Sequence, residues 1–255
     1  MAKIKFIFVG KNDGFSFSDD DMSKFYQAYP EYVDDIQFYK IPNNTERLTK
    51  VYNNELAIER TDKTNDFLVF LHADVSMDFD HLIKHLEACR EKYDVIGLCG
   101  CQKFVSSQSP LNWFTGSIPV PQFRWGCVTH GEAGERMSFY SQDRESVEDS
   151  PVACIDGLCI IFGRKALESE MMFDEQFAFD FYDTDISFQT LMKYNLRLGV
   201  VVEKSLRHYS VGRSILTKDF LLHELDFRKK WNLDVPKNSP VERLLQKNDS
   251  EPKLV

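Results

Sequence analysis

The sequence predicts an α/β protein built on a mixed, mostly parallel central sheet flanked by helices. Strand-like and helix-like segments alternate through the first hundred residues with short links, which is the pattern of a parallel sheet with crossover helices. Two segments, Phe67–Leu71 and Leu158–Phe162, are apolar throughout, as expected of strands buried on both faces. The 255 residues are enough for one large domain or two small ones, and we expect one.

The elements of the first third follow from local composition. Lys3–Val9 is a β-rich run that stops at Gly10. Ser18–Tyr29 predicts a helix whose first turn holds three aspartates, which suit the positive end of a helix dipole. Ile36–Ile41 predicts the second strand, which stops at Pro42.

The next elements follow from periodicity. Thr45–Arg60 places apolar residues on one face at helical spacing, and Asp78–Tyr93 does the same. Between them, Asp66–Leu71 predicts a buried strand, and Asp94–Cys99 predicts the strand after the third helix.

The second half is less regular. Residues 103–151 are rich in Pro, Gly and aromatic residues, and we expect long loops there with one strand and one short helix. A buried strand at Ala153–Phe162, a short helix at Thr184–Asn195, a last strand at Arg197–Val202 and a helix at Leu216–Trp231 follow.

Composition narrows the functional classes. The formal net charge is −9, which argues against nucleic-acid binding, since phosphate neutralisation needs surplus Lys and Arg. The start has too short an apolar run for a signal peptide, and no segment approaches the length of a membrane span. The six Cys show no metal-binding spacing, so we expect reduced, mostly buried thiols in a cytoplasmic protein.

The first candidate site is His72-Ala73-Asp74, directly after a buried strand. Ligands bind at the carboxyl ends of strands in open parallel sheets, and a carboxylate there suits a hard divalent cation that bridges to phosphates. The alternative, weighed equally, is that Asp74 or Ser76 merely caps the helix that starts near Asp78.

The second candidate is the pair Asp183 and Asp185, which lies among aromatic residues at the start of a helix. One carboxylate is a candidate general base, with the other holding the geometry. The alternative is capping, because Asp at a helix start is common and stabilising.

The third candidate is His208, followed by a loop that contains Gly212 and Arg213. It lies in the basic stretch 197–230, and a His beside such a loop suits joint binding of metal and phosphate. The alternative is a hydrogen-bonded surface histidine, which is the usual outcome for a lone His.

Together these pieces resemble a GT-A fold glycosyltransferase of the family-2 type, firmly from Asp66 to Ser214. The family's metal-binding strand is similar to Phe67–Val75, and its acceptor-side strand is similar to the segment that contains Asp156-Gly157. The family's segment with the catalytic base is similar to Phe173-Asp174-Glu175 through Asp185. The pair Tyr52-Asn53 resembles one that such enzymes carry before the metal strand.

The sequence departs from the family pattern at three places. His72 stands where the metal motif has a carboxylate, and Tyr182 stands where a glutamate precedes the base. The second strand lacks the aspartate that often contacts the nucleotide base in this family. That strand therefore does not indicate whether the donor nucleotide is UDP, GDP or dTDP.

The resemblance implies a GT-A domain over residues 1–235, with a nucleotide-binding half (1–100), an acceptor half (101–235) and a polar, loosely held tail at 236–255. It implies metal-dependent, inverting transfer of a sugar from a nucleotide-sugar to a hydroxyl of a glycan or glycoconjugate. A UDP-sugar is the first candidate for the donor. Peripheral contact with a membrane is left open.

The implied residue roles follow from the same resemblance. Asp74 and His208 hold Mn²⁺ or Mg²⁺, and Asp183, or else Asp185, is the catalytic base. The remaining expected contacts fall into two groups. Those to the donor are Asn53, His72, Asp74 and Arg213, and those to the acceptor are Asp156, Gly157, Trp113 and Trp125.

Two alternatives stay open. A nucleotidyltransferase of sugar phosphates is also an α/β enzyme that binds a metal ion and a nucleotide. The loop Gly10–Gly14, however, matches the Gly-rich loop of such enzymes only weakly. A catalytically inactive module that binds a carbohydrate or a partner is also compatible with His72 in place of a carboxylate.

Overall fold

The structure is a computed structural model that describes residues 1–104, 106, 123–131, 136–139, 148–210 and 217–250. In these ranges the chain forms strands and α-helices, each numbered in chain order. The strands are β1 Ile4–Val9, β2 Ile36–Ile41, β3 Phe67–His72, β4 Val75–Ser76, β5 Val95–Gly97, β6 Cys99–Cys101, β7 Arg124–His130, β8 Arg136–Phe139, β9 Ser150–Pro151, β10 Cys154–Ile155, β11 Cys159–Gly163, β12 Leu198–Val200 and β13 Arg207–His208. The helices are α1 Asp19–Ala28, α2 Leu48–Asp62, α3 Phe79–Cys89, α4 Arg164–Glu168, α5 Tyr182–Phe188, α6 Lys218–Lys230 and α7 Pro240–Ser250.

The central sheet has the order β2-β1-β3-β11-β5-β12-β9. Its pairings make β1, β2, β3, β5 and β12 run in one direction, whereas β11 and β9 run against it. The predicted fold class, α/β with a mixed, mostly parallel sheet flanked by helices, is confirmed.

Helices cover both faces of this sheet. Along β1, Ile4, Phe6 and Phe8 face a core shared with α1 and α3, while Ile7 and Val9 face a second core shared with α2, α4 and α5. Burial on both faces explains why β1 and β3 are apolar along nearly their whole length.

A smaller sheet, of order β10-β6-β7-β13-β4 with β8 beside β7, lies at one end of the central sheet. Its strands β4, β6 and β13 continue the chain beyond the carboxyl ends of β3, β5 and β12. The small sheet therefore builds up the edge at which ligands bind in open parallel sheets.

The elements differ from prediction where backbone turns interrupt apolar runs. The expected strand Ala153–Phe162 is two strands, β10 and β11, separated by Asp156-Gly157-Leu158.

Residues 103–151 contain β7, β8 and β9 in their described part, more than the one strand expected. Gly126 permits the close pairing of β6 and β7, since it has φ +107° and a Cβ there would lie 2.3 Å from the Leu98 carbonyl oxygen.

The other predicted helices begin and end within four residues of their predicted bounds, but the structure replaces Thr184–Asn195 with α5 and a wider turn at Gln189–Lys193. The short helix α4 had no predicted counterpart. The C-terminal segment also differs, because α7 lies within residues expected to be loosely held. Val241 of α7 is fully buried. The polar residues around Val241 in the sequence give no indication of this burial. In the described residues, no helix combines the length and apolarity needed to cross a membrane.

Candidate functional site

The first part of the site is the turn at Ala73-Asp74, which joins β3 to β4. The hydroxyl of Ser16 donates to the carbonyl oxygens of Ala73 (3.1 Å) and Val75 (2.6 Å). The backbone amide of Tyr209 donates to the carbonyl oxygen of Asp74 at 2.9 Å. These bonds fix the backbone that presents the Asp74 carboxylate at the carboxyl end of β3.

His208 reaches this turn by its own short strand. The longer strand that precedes it, β12, does not lie beside β3, because β11 and β5 separate the two in the central sheet. Instead, β13 pairs with β4, and His208 stands opposite Val75. This pairing brings the imidazole beside Asp74.

His72, Asp74 and His208 form one cluster, in which one ligand atom from each lies within 4.8 Å of the others. His208 Nε2 is 3.5 Å from Asp74 Oδ2. Burial works against the charged form of both groups, but their mutual attraction is stronger: it lowers the pKa of Asp74 to about 2 and raises the pKa of His208. Burial and the neighbouring His208 lower the pKa of His72.

The donor set of this cluster fits a divalent metal ion. Two imidazoles and one carboxylate suit a divalent transition-metal ion better than Mg²⁺, which prefers oxygen ligands, and Mn²⁺ accepts imidazole more readily than Mg²⁺ does. The structure thus brings together the predicted ligands Asp74 and His208 and adds His72, which stands at the position of the missing carboxylate.

Tyr182 connects this cluster to the second part of the site. Its phenolic oxygen lies 2.8 Å from His72 Nε2 and donates a hydrogen bond of 2.8 Å to the carbonyl oxygen of Gly157. The sequence singled out Tyr182 only as a departure from a family pattern, and its contact with a residue 110 positions away had no local signal.

The second part holds the carboxylates of Asp183 and Asp156. Asp183 accepts hydrogen bonds from the backbone amides of Gly157 (3.1 Å) and Thr184 (2.7 Å). Burial, followed by the negative charge of Asp156, raises the pKa of Asp183 to about 7. Asp156 accepts from the amide of Leu158 at 2.8 Å. Asp183 is thus a fixed carboxylate poised to exchange a proton near neutral pH.

The backbone before Asp183 is strained. Phe181, which precedes α5, has φ +70° in the left-handed region, which is costly for a residue with a bulky side chain. Its ring packs against Phe220 and Phe227 at centroid distances of 5.0 and 5.3 Å. This packing holds the turn that aims Tyr182 and Asp183 at Gly157.

Asp185, the other candidate base, lies elsewhere. It is fully buried, and its oxygens accept from Lys230 Nζ (2.7 Å to Oδ1), Trp231 Nε1 (2.8 Å) and Gln189 Nε2 (2.7 Å). These contacts tie α5 to the end of α6 and do not involve the cluster.

Asn53 also faces away from the cluster. Its side-chain amide both donates to the carbonyl oxygen of Phe173 (2.9 Å) and accepts from the amide of the same residue (2.9 Å). It therefore joins α2 to the segment before α5, and these contacts account for its burial.

Of the expected contacts Trp125, Trp113 and Arg213, the structure describes only Trp125. Trp125 is partly buried, and its indole nitrogen donates to the carbonyl oxygen of Glu148 at 2.6 Å. Trp113 and Arg213 lie outside the described residues.

An aromatic residue that the sequence did not indicate, Phe179, lies at the cluster. It is 46% exposed, and its ring stacks on His72 with a centroid distance of 5.9 Å and an interplanar angle of 21°. An exposed ring beside the His72–Asp74–His208 cluster offers an apolar face to a ligand.

Comparisons with known proteins give structural likeness only. No family model matches the sequence. No curated protein sequence matches it either. Three of the similar solved structures are A197 from STIV (16% identity, TM-score 0.42, 80% of this chain and 83% of that chain), S. aureus TarS 1-349 (11%, 0.43, 96% and 68%) and GalNAc-T7 with UDP, GalNAc and Mn²⁺ (9%, 0.40, 97% and 56%). Similarity this distant says nothing about the chemistry of this chain.

Proposed function

We propose that this protein is a glycosyltransferase of the GT-A type that moves a sugar from a nucleotide-sugar donor to a hydroxyl group, with inversion at the anomeric carbon. One observation carries the proposal: Tyr182 and Gly157 link the His72–Asp74–His208 cluster to Asp183 through three contacts of 2.8, 2.8 and 3.1 Å. A site for a metal ion and a site for a base thus lie side by side at one edge of the sheet.

The cluster supports the donor half of this reaction. His72, Asp74 and His208 would hold a divalent ion, which supplies positive charge to neutralise a leaving diphosphate. The loop after β1 packs on the same turn, since a Cβ on Gly10 would lie 3.2 Å from the Cβ of Ala73. We assign the donor nucleotide to this side, within residues 1–100, with UDP as the first candidate.

Asp183 supports the acceptor half. A general base works best when its pKa lies near the working pH, and the pKa of about 7 satisfies that condition. The amides of Gly157 and Thr184 orient the carboxylate, so that it is ready to take the proton of an attacking hydroxyl. Burial and then the charge of Asp156 keep the pKa of Asp183 high, and we expect Asp156 to hydrogen-bond the acceptor.

The contacts of Asp185 support the choice of Asp183 as the base. Its oxygens are engaged by a lysine, an indole and an amide, which leaves no lone pair in a suitable position for an incoming hydroxyl. We therefore assign the base to Asp183 and a structural role to Asp185. Phe179 takes the role of aromatic platform, and the acceptor is a glycan or glycoconjugate bound within residues 101–235.

The test is a donor screen with purified protein. UDP-, GDP- and dTDP-sugars are incubated with Mn²⁺, and release of the nucleoside diphosphate is followed with and without EDTA. We expect release from one nucleotide class that stops with EDTA and falls about 10²–10⁴-fold in Asp183→Asn. Absence of release from every donor, together with no thermal stabilisation by any diphosphate, would overturn the proposal.

A parallel assay with nucleoside triphosphates and sugar phosphates in place of the donors tests for a nucleotidyltransferase, which the packing of the loop Gly10–Gly14 on the Ala73-Asp74 turn also accommodates. That enzyme would release pyrophosphate from a nucleoside triphosphate and a sugar phosphate. Pyrophosphate release without diphosphate release would favour it over sugar transfer.

A further inference from the structure

Tyr182 is placed to determine which nitrogen of His72 carries the proton. The phenol is buried, and its oxygen lies 2.8 Å both from the Gly157 carbonyl oxygen and from His72 Nε2. A phenol has one proton to donate. The carbonyl oxygen can only accept, so the proton points at Gly157.

The direction of the second bond follows. With its proton given to Gly157, the phenolic oxygen can only accept at its other contact, and His72 Nε2 must be the donor. The reverse arrangement would place the lone pairs of the phenolic and carbonyl oxygens against each other at 2.8 Å, which is unfavourable in a buried setting.

We propose that Tyr182 is a positioning residue that fixes His72 as the Nε2–H tautomer and so leaves the lone pair of Nδ1 for the divalent ion. The ring is held on two sides, by the phenol at Nε2 and by Phe179 stacked on its face. Outer contacts of this kind set the tautomer and the orientation of a metal-binding histidine.

Gly157 is part of the same arrangement. A Cβ at this position would lie 2.1 Å from the Tyr182 phenolic oxygen, so the phenol reaches His72 only because residue 157 has no side chain. Because the same glycine donates its amide to Asp183, the tautomer of His72 and the orientation of Asp183 depend on one backbone segment.

The inference rests on the proposed function only for the presence of the ion, and its first test needs no ion. Two-bond ¹H–¹⁵N spectra of the metal-free protein report the tautomer, with His72 assigned by loss of its signals in His72→Gln. We expect the Nε2–H form in the wild type and a mixture of tautomers in Tyr182→Phe, which keeps the ring and removes the hydroxyl. A wild-type Nδ1–H form, or an unchanged tautomer in Tyr182→Phe, would overturn the inference.

The second test titrates Mn²⁺ alone by calorimetry. We expect the Mn²⁺ dissociation constant to rise about 10–100-fold in Tyr182→Phe. Tyr52→Phe is the matched control, because Tyr52 is equally buried, its ring centroid lies 6.4 Å from that of Tyr182, and its hydroxyl has no hydrogen-bond partner in the described structure.

Equal loss of Mn²⁺ affinity in both variants would indicate a general packing effect and overturn the positioning role. A wild-type protein that binds no Mn²⁺ would instead count against the proposed function, and the tautomer spectra would still decide the inference.

Discussion

Tyr182 fills the space that any side chain on Gly157 would occupy: a Cβ at Gly157 would lie 2.1 Å from the phenolic oxygen and 2.5 Å from the ring carbon that bears it. The glycine of the Asp-Gly pair is therefore explained by a tyrosine 25 residues later in the chain. Its hydrogen is the only substituent that allows the phenol, the Gly157 carbonyl and His72 to meet.

Replacement of this glycine should cost stability. Gly157→Ala forces the buried phenol to move, and overpacking of this kind costs about 1–3 kcal/mol. Urea unfolding followed by circular dichroism measures the loss. Gly14→Ala is the control, because Gly14 is exposed and the nearest atom to its Cβ would be Oδ1 of the exposed Asn12 side chain at 3.3 Å. Equal stability of the two variants would show that Tyr182 is not packed against Gly157.

The raised pKa of Asp183 predicts how stability depends on pH. Burial and Asp156 raise that pKa to about 7 from 3.8, so between these values the folded state holds a proton that the unfolded state has released. The contribution of Asp183 is therefore fully present below pH ~4 and is lost as pH rises through ~7.

Asp183→Asn removes this dependence. The free energy of unfolding of the variant, relative to the wild type, should increase by up to about 1.4 kcal/mol for each pH unit between pH ~5.5 and ~7, then level off. Urea titrations across pH ~5.5–8.5 measure how the difference in unfolding free energy between the variant and the wild type changes with pH. A pH-independent cost from the altered hydrogen bonds does not affect this change. A difference that does not change with pH would contradict the raised pKa.

Asp185 should be needed for stability and not for metal binding. Asp185→Asn leaves Lys230 without its buried partner and should lower the free energy of unfolding by about 1–3 kcal/mol, with an unchanged Mn²⁺ affinity. Asp174→Asn, which removes the more exposed partner of the same lysine at 2.7 Å, should cost under about 1 kcal/mol. A weakened Mn²⁺ affinity in Asp185→Asn would contradict the purely structural role assigned to Asp185.

The six cysteines should be unreactive in the folded protein. All are free and buried, and burial raises their pKa, to about 12 for Cys89 and Cys101, so little thiolate is present at neutral pH. A thiol reagent that absorbs on reaction should label none of them rapidly near neutral pH and all six in urea. One rapidly labelled thiol in the folded state would contradict this description.

Local sequence predicted those parts of the site that lie on one regular element. The apolar run of β3 and the polar residues at its end indicated Asp74, because a carboxylate at the end of a buried strand is costly unless a cation or hydrogen-bond donors meet it. The sequence also indicated Asp183 and Asp185 as a pair, but it did not separate them. Both stand at a helix start, and only tertiary contacts make one a structural ion pair and the other a carboxylate with a raised pKa.

Other parts depend on pairings too short or too distant to leave a pattern. His208 meets Asp74 through β13 and β4, which are two residues long each, well below the length at which alternation is visible. Tyr182 meets His72 across 110 positions. Phe179 is not predictable from the sequence, because an exposed aromatic residue in an irregular segment carries no periodic signal.

The proposed function requires that His72, Asp74 and His208 hold a divalent ion that joins the protein to a nucleoside diphosphate. The most direct measurement is calorimetric titration of UDP, GDP and dTDP into the wild type and into Asp74→Asn, each with and without Mn²⁺. We predict that Mn²⁺ tightens binding of one diphosphate at least about 10-fold in the wild type, as expected for two coupled ligands, and that this coupling is absent in Asp74→Asn. Equal coupling in both proteins, or no diphosphate binding to the wild type at any Mn²⁺ concentration, would contradict the claim.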